Sequence, residues 1–383
     1  LGSDKLNVLY YDICKAKEAG EDSSKIINFN INYVDEEMNQ FHFRYGDKEE
    51  LSKVYPYEIE RYRFYKKAKA VKLHCFCHHY EAYKGIKPKL IGDVTNKRRE
   101  QIYEAFYDYS MHCRWSGFTI PNASWAKKLF PHCNTKDAIN RLWEVIFKCC
   151  YVEEGKSVKN WEKHNADLKK KIEYLNSLKI RSLHYENSLG TDITIGIIPN
   201  SLFCGGTHPF EKGWYNPNFP TEEVFISPDR LKTNGVVYAS KPLVLNEKLI
   251  KGIWFKFVDG RIVEIHAKQN ETLLKKTISI GEGAHYLGEA AFVPYNSPIS
   301  QTGLLFYNTL FDENASCHFA FGFGFPIAIP FGEKLNQHEL LKLGVNQSKI
   351  HIDFMIGTPD LKITAETRDD KKIVIFENGN WAK

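Results

Sequence analysis

Long apolar runs are missing from this sequence of 383 residues. No stretch approaches the roughly 18 consecutive apolar residues of a membrane span. The opening residues also lack the charged, apolar and small-residue succession of a secretory signal. A membrane protein and a secreted one are therefore both disfavoured, and a cytoplasmic location is expected. Leu1-Gly2-Ser3 reads as a cloning remnant.

An excess of charge of one sign is also lacking. Against 52 Lys and Arg stand 47 Asp and Glu, a net charge of +5. That balance is too weak and too dispersed to argue for a nucleic-acid partner. The lysine-rich run Lys156 to Lys179 is interleaved with Glu162, Asp167 and Glu173, as on a solvated, salt-bridged helix face. No Gly-rich phosphate loop follows any strand-like run, so no nucleotide site is expected. There is no internal repeat and no low-complexity linker. The nine cysteines, an odd number, fit a reducing compartment better than a disulfide framework. In His74-Cys75-Phe76-Cys77-His78-His79 the two cysteines are too close for the usual zinc pattern. Cys149-Cys150 could be bridged only with strain, and both are read as reduced.

What is present is a globular composition, 43% hydrophobic and 14% aromatic, in a chain long enough for two domains and a large core. The first half alternates helix and strand. Helices are expected at Tyr10 to Gly20, Pro56 to Ala70, Asn96 to Trp115, Trp125 to Phe130, Thr135 to Cys150 and Val158 to Leu178. Strands are expected at Ile26 to Val34, Val71 to Phe76 and Phe118 to Ile120. Ser124 and Asn122 compete to cap the Trp125 helix, and Ile102, Tyr103, Phe106, Tyr107 and Met111 form one face of the Asn96 helix. Such alternation argues for a parallel or mixed α/β sheet. Past Ile180 to Gly190 strands dominate, including Gly303 to Phe306 and Ile350 to Ile356, and Asp259-Gly260 between two alternating runs signals a type I′ hairpin.

Metal-capable side chains gather in one stretch, Gly281 to Ile356: Glu282 and Glu289, then Asp312, Glu313 and His318, then His351 and Asp353. His351 and Asp353 are two apart in an apolar, strand-like run, so both side chains leave the same face. Such a pair can be a hydrogen-bonded core pair or two ligands of one cation. Burial of several unpaired charges is costly, and a cation is one physical reason to keep them together. Mixed imidazole and carboxylate donors suit zinc, cobalt or manganese.

Four segments, NFPTEEVF (218–225), LGEAAFVP (287–294), LFDENASCHFAFG (310–322) and HIDFMIG (351–357), resemble the signature blocks of the thermophilic-type metallo-aminopeptidases, the aminopeptidase T, aminopeptidase S and PepS group. GFTIPNASWAKKLFP (117–131), the run 161–187 and ENGNWAK (377–383) are similar to that family too, so the likeness covers nearly the whole chain. The resemblance implies an α/β N-terminal domain, residues 1–185, and an α+β, β-rich, barrel-like metallopeptidase domain, residues 186–383. It implies an aminopeptidase acting on short peptides through a water activated between two divalent ions (Zn²⁺, Co²⁺ or Mg²⁺/Mn²⁺), in a homodimer enclosing the site. The ligand positions it implies are Glu223, Glu289, Glu313, His318, His351 and Asp353, with Glu289 shared. Glu223 and Glu289 are the candidates for proton transfer. Glu282, His285 and Asp312 are expected to orient ligands, and Tyr286 to pack in the core. Where the family has a Tyr seven residues after the ligand His, this chain has Phe325; Tyr295 or Tyr307 could stand in for the missing hydroxyl. The alternatives are a non-catalytic relative that keeps its metals as structural staples, and a nucleic-acid or partner-binding protein.

Overall fold

The computed structural model describes residues 36–77, 83, 85–210, 213–245 and 248–382. The helix expected at Tyr10 to Gly20, the strand at Ile26 to Val34, and His78 with His79 lie outside them. No helix among the described residues is long and apolar enough to cross a membrane. By packing, the chain divides into two compact units, Leu1–Trp143 and Glu144–Lys383.

In the first unit the described elements are α1 (Glu36–Tyr45), α2 (Lys48–Ser52), α3 (Pro56–Lys67), β1 (Lys72–Phe76), α4 (Pro88–His112), β2 (Trp115–Thr119) and α5 (Ala123–Leu129). β1 and β2 pair in parallel, Lys72 opposite Trp115 and Phe76 opposite Thr119, which is the expected α/β arrangement with α4 as the crossover. Asn122 is the cap of α5, accepting the Trp125 N–H at 2.8 Å. The helix α4 starts well before Asn96 because Pro88 at its first turn is pre-set for helical φ and has no N–H to lose. Its aromatic row is not a buried stripe: Tyr103, Phe106 and Tyr107 are all exposed.

The helix α6 (Thr135–Cys149) runs across the division, and α7 (Ser157–Ser177) follows in the second unit. α7 buries Trp161, Leu168 and Leu175, spaced seven apart as one helical stripe requires. The strands that build the second unit's two large sheets are β3 (Ile180–Glu186), β4 (Asp192–Ile197), β5 (Cys204–Gly205), β6 (Val224–Ile226), β7 (Pro228–Tyr238), β8 (Trp254–Val258), β9 (Arg261–His266), β10 (Leu287–Phe292), β11 (His318–Gly322), β12 (His351–Met355), β13 (Lys362–Thr367), β14 (Lys372–Glu377) and β15 (Asn380–Trp381). One sheet runs β9-β8-β7-β4-β3-β13-β14-β15 and the other β12-β11-β10-β6-β5. Every pairing within both is antiparallel.

The two sheets stack face to face. Tyr185 of β3 meets Phe319 of β11 with ring centroids 4.9 Å apart, and Phe255 of β8 meets Phe354 of β12 at 4.9 Å. Leu274 and Ile278 of the helix α8 (Glu271–Ile278) join the same core. Among the described residues no pairing joins β9 to β15, so the barrel-like closure expected from the sequence is replaced by an open sheet. The second sheet covers its apolar face, and closure is not needed to bury it. The β8–β9 turn is the expected one: Asp259 and Gly260 have φ of +48° and +83°, as a type I′ turn demands.

Candidate metal centre

The five-stranded sheet has one face in the core and one turned from it. Leu287, Ala290, Phe292, Phe319, Phe321 and Phe354 belong to the core. Strand alternation then puts His318, Ala320 and Gly322 of β11, and His351 and Asp353 of β12, on the opposite face. In β10 simple alternation would leave Glu289 on the side of Leu287. A bulge prevents this: Leu287 is opposite Phe321 and Glu289 opposite Ala320, two steps of β10 against one of β11. Gly288 is the extra residue. A Cβ there would lie 2.2 Å from the Phe323 carbonyl oxygen, so the close approach requires glycine. The bulge moves Glu289 to the face that carries the histidines.

Register then sets the spacing. Glu289, Ala320 and Asp353 stand side by side on three neighbouring strands, with only a methyl group between the two carboxylates. Glu223 immediately precedes β6, whose Phe225 is opposite Ala291, while Ala291 is also opposite His318. Two triads result, each with donor atoms mutually within 4.8 Å: Glu223, Glu289 and His318, and Glu289, His351 and Asp353. Glu289 belongs to both.

Both imidazoles are oriented by backbone. Nδ1 of His318 is 3.1 Å from the Ser316 carbonyl and Nδ1 of His351 is 2.7 Å from the Phe323 carbonyl. A carbonyl only accepts, so each Nδ1 carries the proton and each Nε2 faces the carboxylates. His318 Nε2 lies 3.5 Å from Glu223, and His351 Nε2 lies 3.1 Å from Glu289 and 3.2 Å from Asp353. Backbone anchoring of the second ring nitrogen is how ligating histidines are commonly held.

The electrostatics of the set without a cation are strained. Burial first, and the neighbouring Glu289 second, push the Glu223 carboxyl up to about 8. Burial, then Asp353, Glu223 and Glu289, raise Glu313 well above the usual range. Burial would lower His318 and His351, but the surrounding carboxylates outweigh it and raise both. Burial would raise Asp353, yet its hydrogen bond from His351 and that charge hold it below the ordinary value. Four carboxylates carry −4 when ionised and two imidazolium ions offset half of that. Two divalent cations would offset all of it with both histidines neutral. The residues present thus fit a metal pair in charge, donor type and orientation.

Glu313 stands on the short helix α9 (Thr309–Glu313), outside both triads but within reach of their charge. Of the groups expected to orient ligands, Glu282 is not at the site: it is solvent-exposed, pairs with Arg261 and accepts from the Tyr286 hydroxyl at 3.0 Å. His285 closes that same turn, immediately before Tyr286. Asp312 is buried and accepts the N–H groups of Phe306 and Asn308 at 2.7 and 3.0 Å, so it shapes the chain ahead of α9. Tyr286 is buried, with the Arg230 guanidinium 4.2 Å from its ring centroid. Phe325 packs its ring 4.9 Å from that of His351. Two residues that shape the site carry no ligand signal in the sequence, Gly288 and Ala320. Gly288 merely precedes Glu289, and Ala320 lies two residues past His318.

The chain matches the family described as thermophilic metalloprotease (M29) over residues 16–381. It is 37% identical over 368 residues to aminopeptidase AmpS of Bacillus subtilis (strain 168), covering 96% of this chain and 89% of that one. It is 37% identical to aminopeptidase T of Thermus aquaticus, covering 79% and 74%. The solved structure of wild-type AmpT from Thermus thermophilus superposes with a TM-score of 0.85 at 32% identity, covering 93% of this chain and 87% of that one. Fold and site together are those of a metallo-aminopeptidase, a hydrolase of peptide bonds. The chain belongs to the thermophilic metalloprotease (M29) family.

Proposed function

We propose that the β-rich half, residues 186–383, holds two divalent cations and removes N-terminal residues from short peptides. Glu223, Glu289 and His318 hold one ion, Glu289, His351 and Asp353 the other, and Glu313 completes the set. Divalent ions placed there would polarise the scissile carbonyl and lower the pKa of a water from ~15.7 to ~7. Glu289, common to both triads, would be the ligand the two ions share. Glu223 belongs to one triad only, so it is the carboxyl better able to spare an oxygen and pass a proton to the leaving amine. The substrate's free α-amine would coordinate one of the ions or pair with a carboxylate, which restricts attack to the first peptide bond. Zinc, cobalt, manganese and magnesium are the candidate ions, and a cytoplasmic homodimer is the proposed setting.

The observation that carries this proposal is the pair of donor triads meeting at Glu289, with both histidines anchored through Nδ1. Chelation followed by dialysis should abolish hydrolysis of leucine-p-nitroanilide, and Zn²⁺ or Co²⁺ should restore it. Full activity after removal of all metal would end the proposal. One observation favours a second reading, a relative that binds metal without efficient catalysis. The ring beside His351 is that of Phe325, which has no hydroxyl to offer a developing oxyanion.

A further inference from the structure

Asn314 is fully buried and touches both carboxylate-bearing segments that lie outside the ligand strands. Its Oδ1 accepts the Glu222 N–H at 2.7 Å, which fixes the backbone immediately before Glu223. Its Nδ2 donates to the Leu310 carbonyl at 2.9 Å within α9 and approaches Glu313 Oε1 at 3.4 Å. The Ser297 hydroxyl donates to the Asn314 carbonyl at 3.4 Å. Glu222 itself points the other way, accepting from the Tyr151 hydroxyl at 2.7 Å. Adjacent glutamates therefore diverge, and Asn314 holds the peptide N–H of the first of them.

We infer that Asn314 is a positioning residue for the ion held by Glu223, Glu289 and His318, one buried amide that sets the Glu223 and Glu313 segments relative to each other. This rests on the two-ion proposal above. The asymmetry is the point: Glu289, His351 and Asp353 lie on β10 and β12, whose places are set by the strand ladder, and no bond of Asn314 reaches them. Losing it should weaken the ion at Glu223 more than the other, which Asn314 approaches only through Glu313. A carboxamide is required because the site needs one acceptor and a donor facing a carboxylate, a combination neither Asp nor Ala supplies.

The test is calorimetric titration of the metal-free full-length protein with Zn²⁺ in a chelator-buffered series, for wild type, Asn314→Ala and Asn314→Asp. Wild type should take up two equivalents. Asn314→Ala should keep one near wild-type affinity and lose at least about tenfold in the other, the scale on which groups supporting a ligand act. Asn314→Asp keeps the acceptor for Glu222 but places a carboxylate toward Glu313; it should show a smaller loss at the same ion, and it decides the matter if Asn314→Ala does not fold. Wild-type affinity for both ions in the folded variants, or an equal loss at both, overturns the inference. A wild type that binds a single equivalent instead overturns the two-ion proposal on which it rests.

Discussion

The Nε2 atom of His351 lies 3.1 Å from a carboxylate oxygen of Glu289, and the oxygen that anchors the other side of that imidazole belongs to Phe323. The same Phe323 oxygen is the atom a side chain at Gly288 would strike. The motif Leu-Gly-Glu and His351 are thus two ends of one arrangement, Glu289 and His351 being separated by 62 residues in sequence.

Gly288→Ala is accordingly predicted to act twice. Forcing the Phe323 carbonyl aside should destabilise the fold by about 1–3 kcal/mol, as overpacking does, measured by urea unfolding. It should also free the His351 ring, so activity falls further than the folded fraction does. Unchanged activity per folded molecule would separate the bulge from the site.

Ala320→Leu fills the space between Glu289 and Asp353 from the face away from the core. The expected result is a drop of about tenfold or more in metal affinity with the far-UV spectrum preserved, read by competition against a chromogenic chelator. Wild-type affinity in this variant would show that the ions do not lie over Ala320.

Phe325→Tyr places a hydroxyl beside His351. One oxyanion donor contributes roughly 10²–10³ in rate, so kcat should rise toward that range with KM little altered, measured with leucine-p-nitroanilide. No change would mean that another group already serves, or that no donor is needed at that place.

The metal-free protein should lose stability as the pH rises. Glu223 is raised from 4.5 to about 8 in the fold, so the folded state holds this proton more tightly than the unfolded chain does. Its stabilising effect is complete below about 4.5 and disappears as the pH climbs through about 8. Glu313, His318 and His351 are shifted in the same direction, and Asp353 opposes them. Melting temperature measured in chelator should fall between pH 5 and 9. Excess Zn²⁺ should reverse the trend, since cations bind the deprotonated carboxylates; a flat profile in chelator would contradict the electrostatic account.

Much of this was legible because the pattern is local. His351 and Asp353 share a strand face by their spacing alone, and the Asp259-Gly260 turn follows from two positive φ angles. Glu223, Glu289, His318, His351 and Asp353 come together where alternation and register can be followed, while Glu313 stands outside both triads. The rest depended on tertiary partners. Gly303 to Phe306 has the composition of a strand, but Asp312 captures the Phe306 N–H and no ladder forms. The strand His318–Gly322 was hidden because it opens on a histidine and closes on a glycine, although all five residues are buried. Ile180–Glu186 looked like a change of composition and is an interior strand of the larger sheet. The aromatic row on α4 has a helical period, yet period alone does not say that anything covers it.

Anomalous diffraction at the zinc edge, from crystals of the zinc-loaded protein, addresses the pair of ions without reference to activity. The account predicts two peaks, one within ~2.0–2.2 Å of donors from Glu223, Glu289 and His318, the other likewise near Glu289, His351 and Asp353. A single peak, or zinc bound away from Glu289, would contradict it.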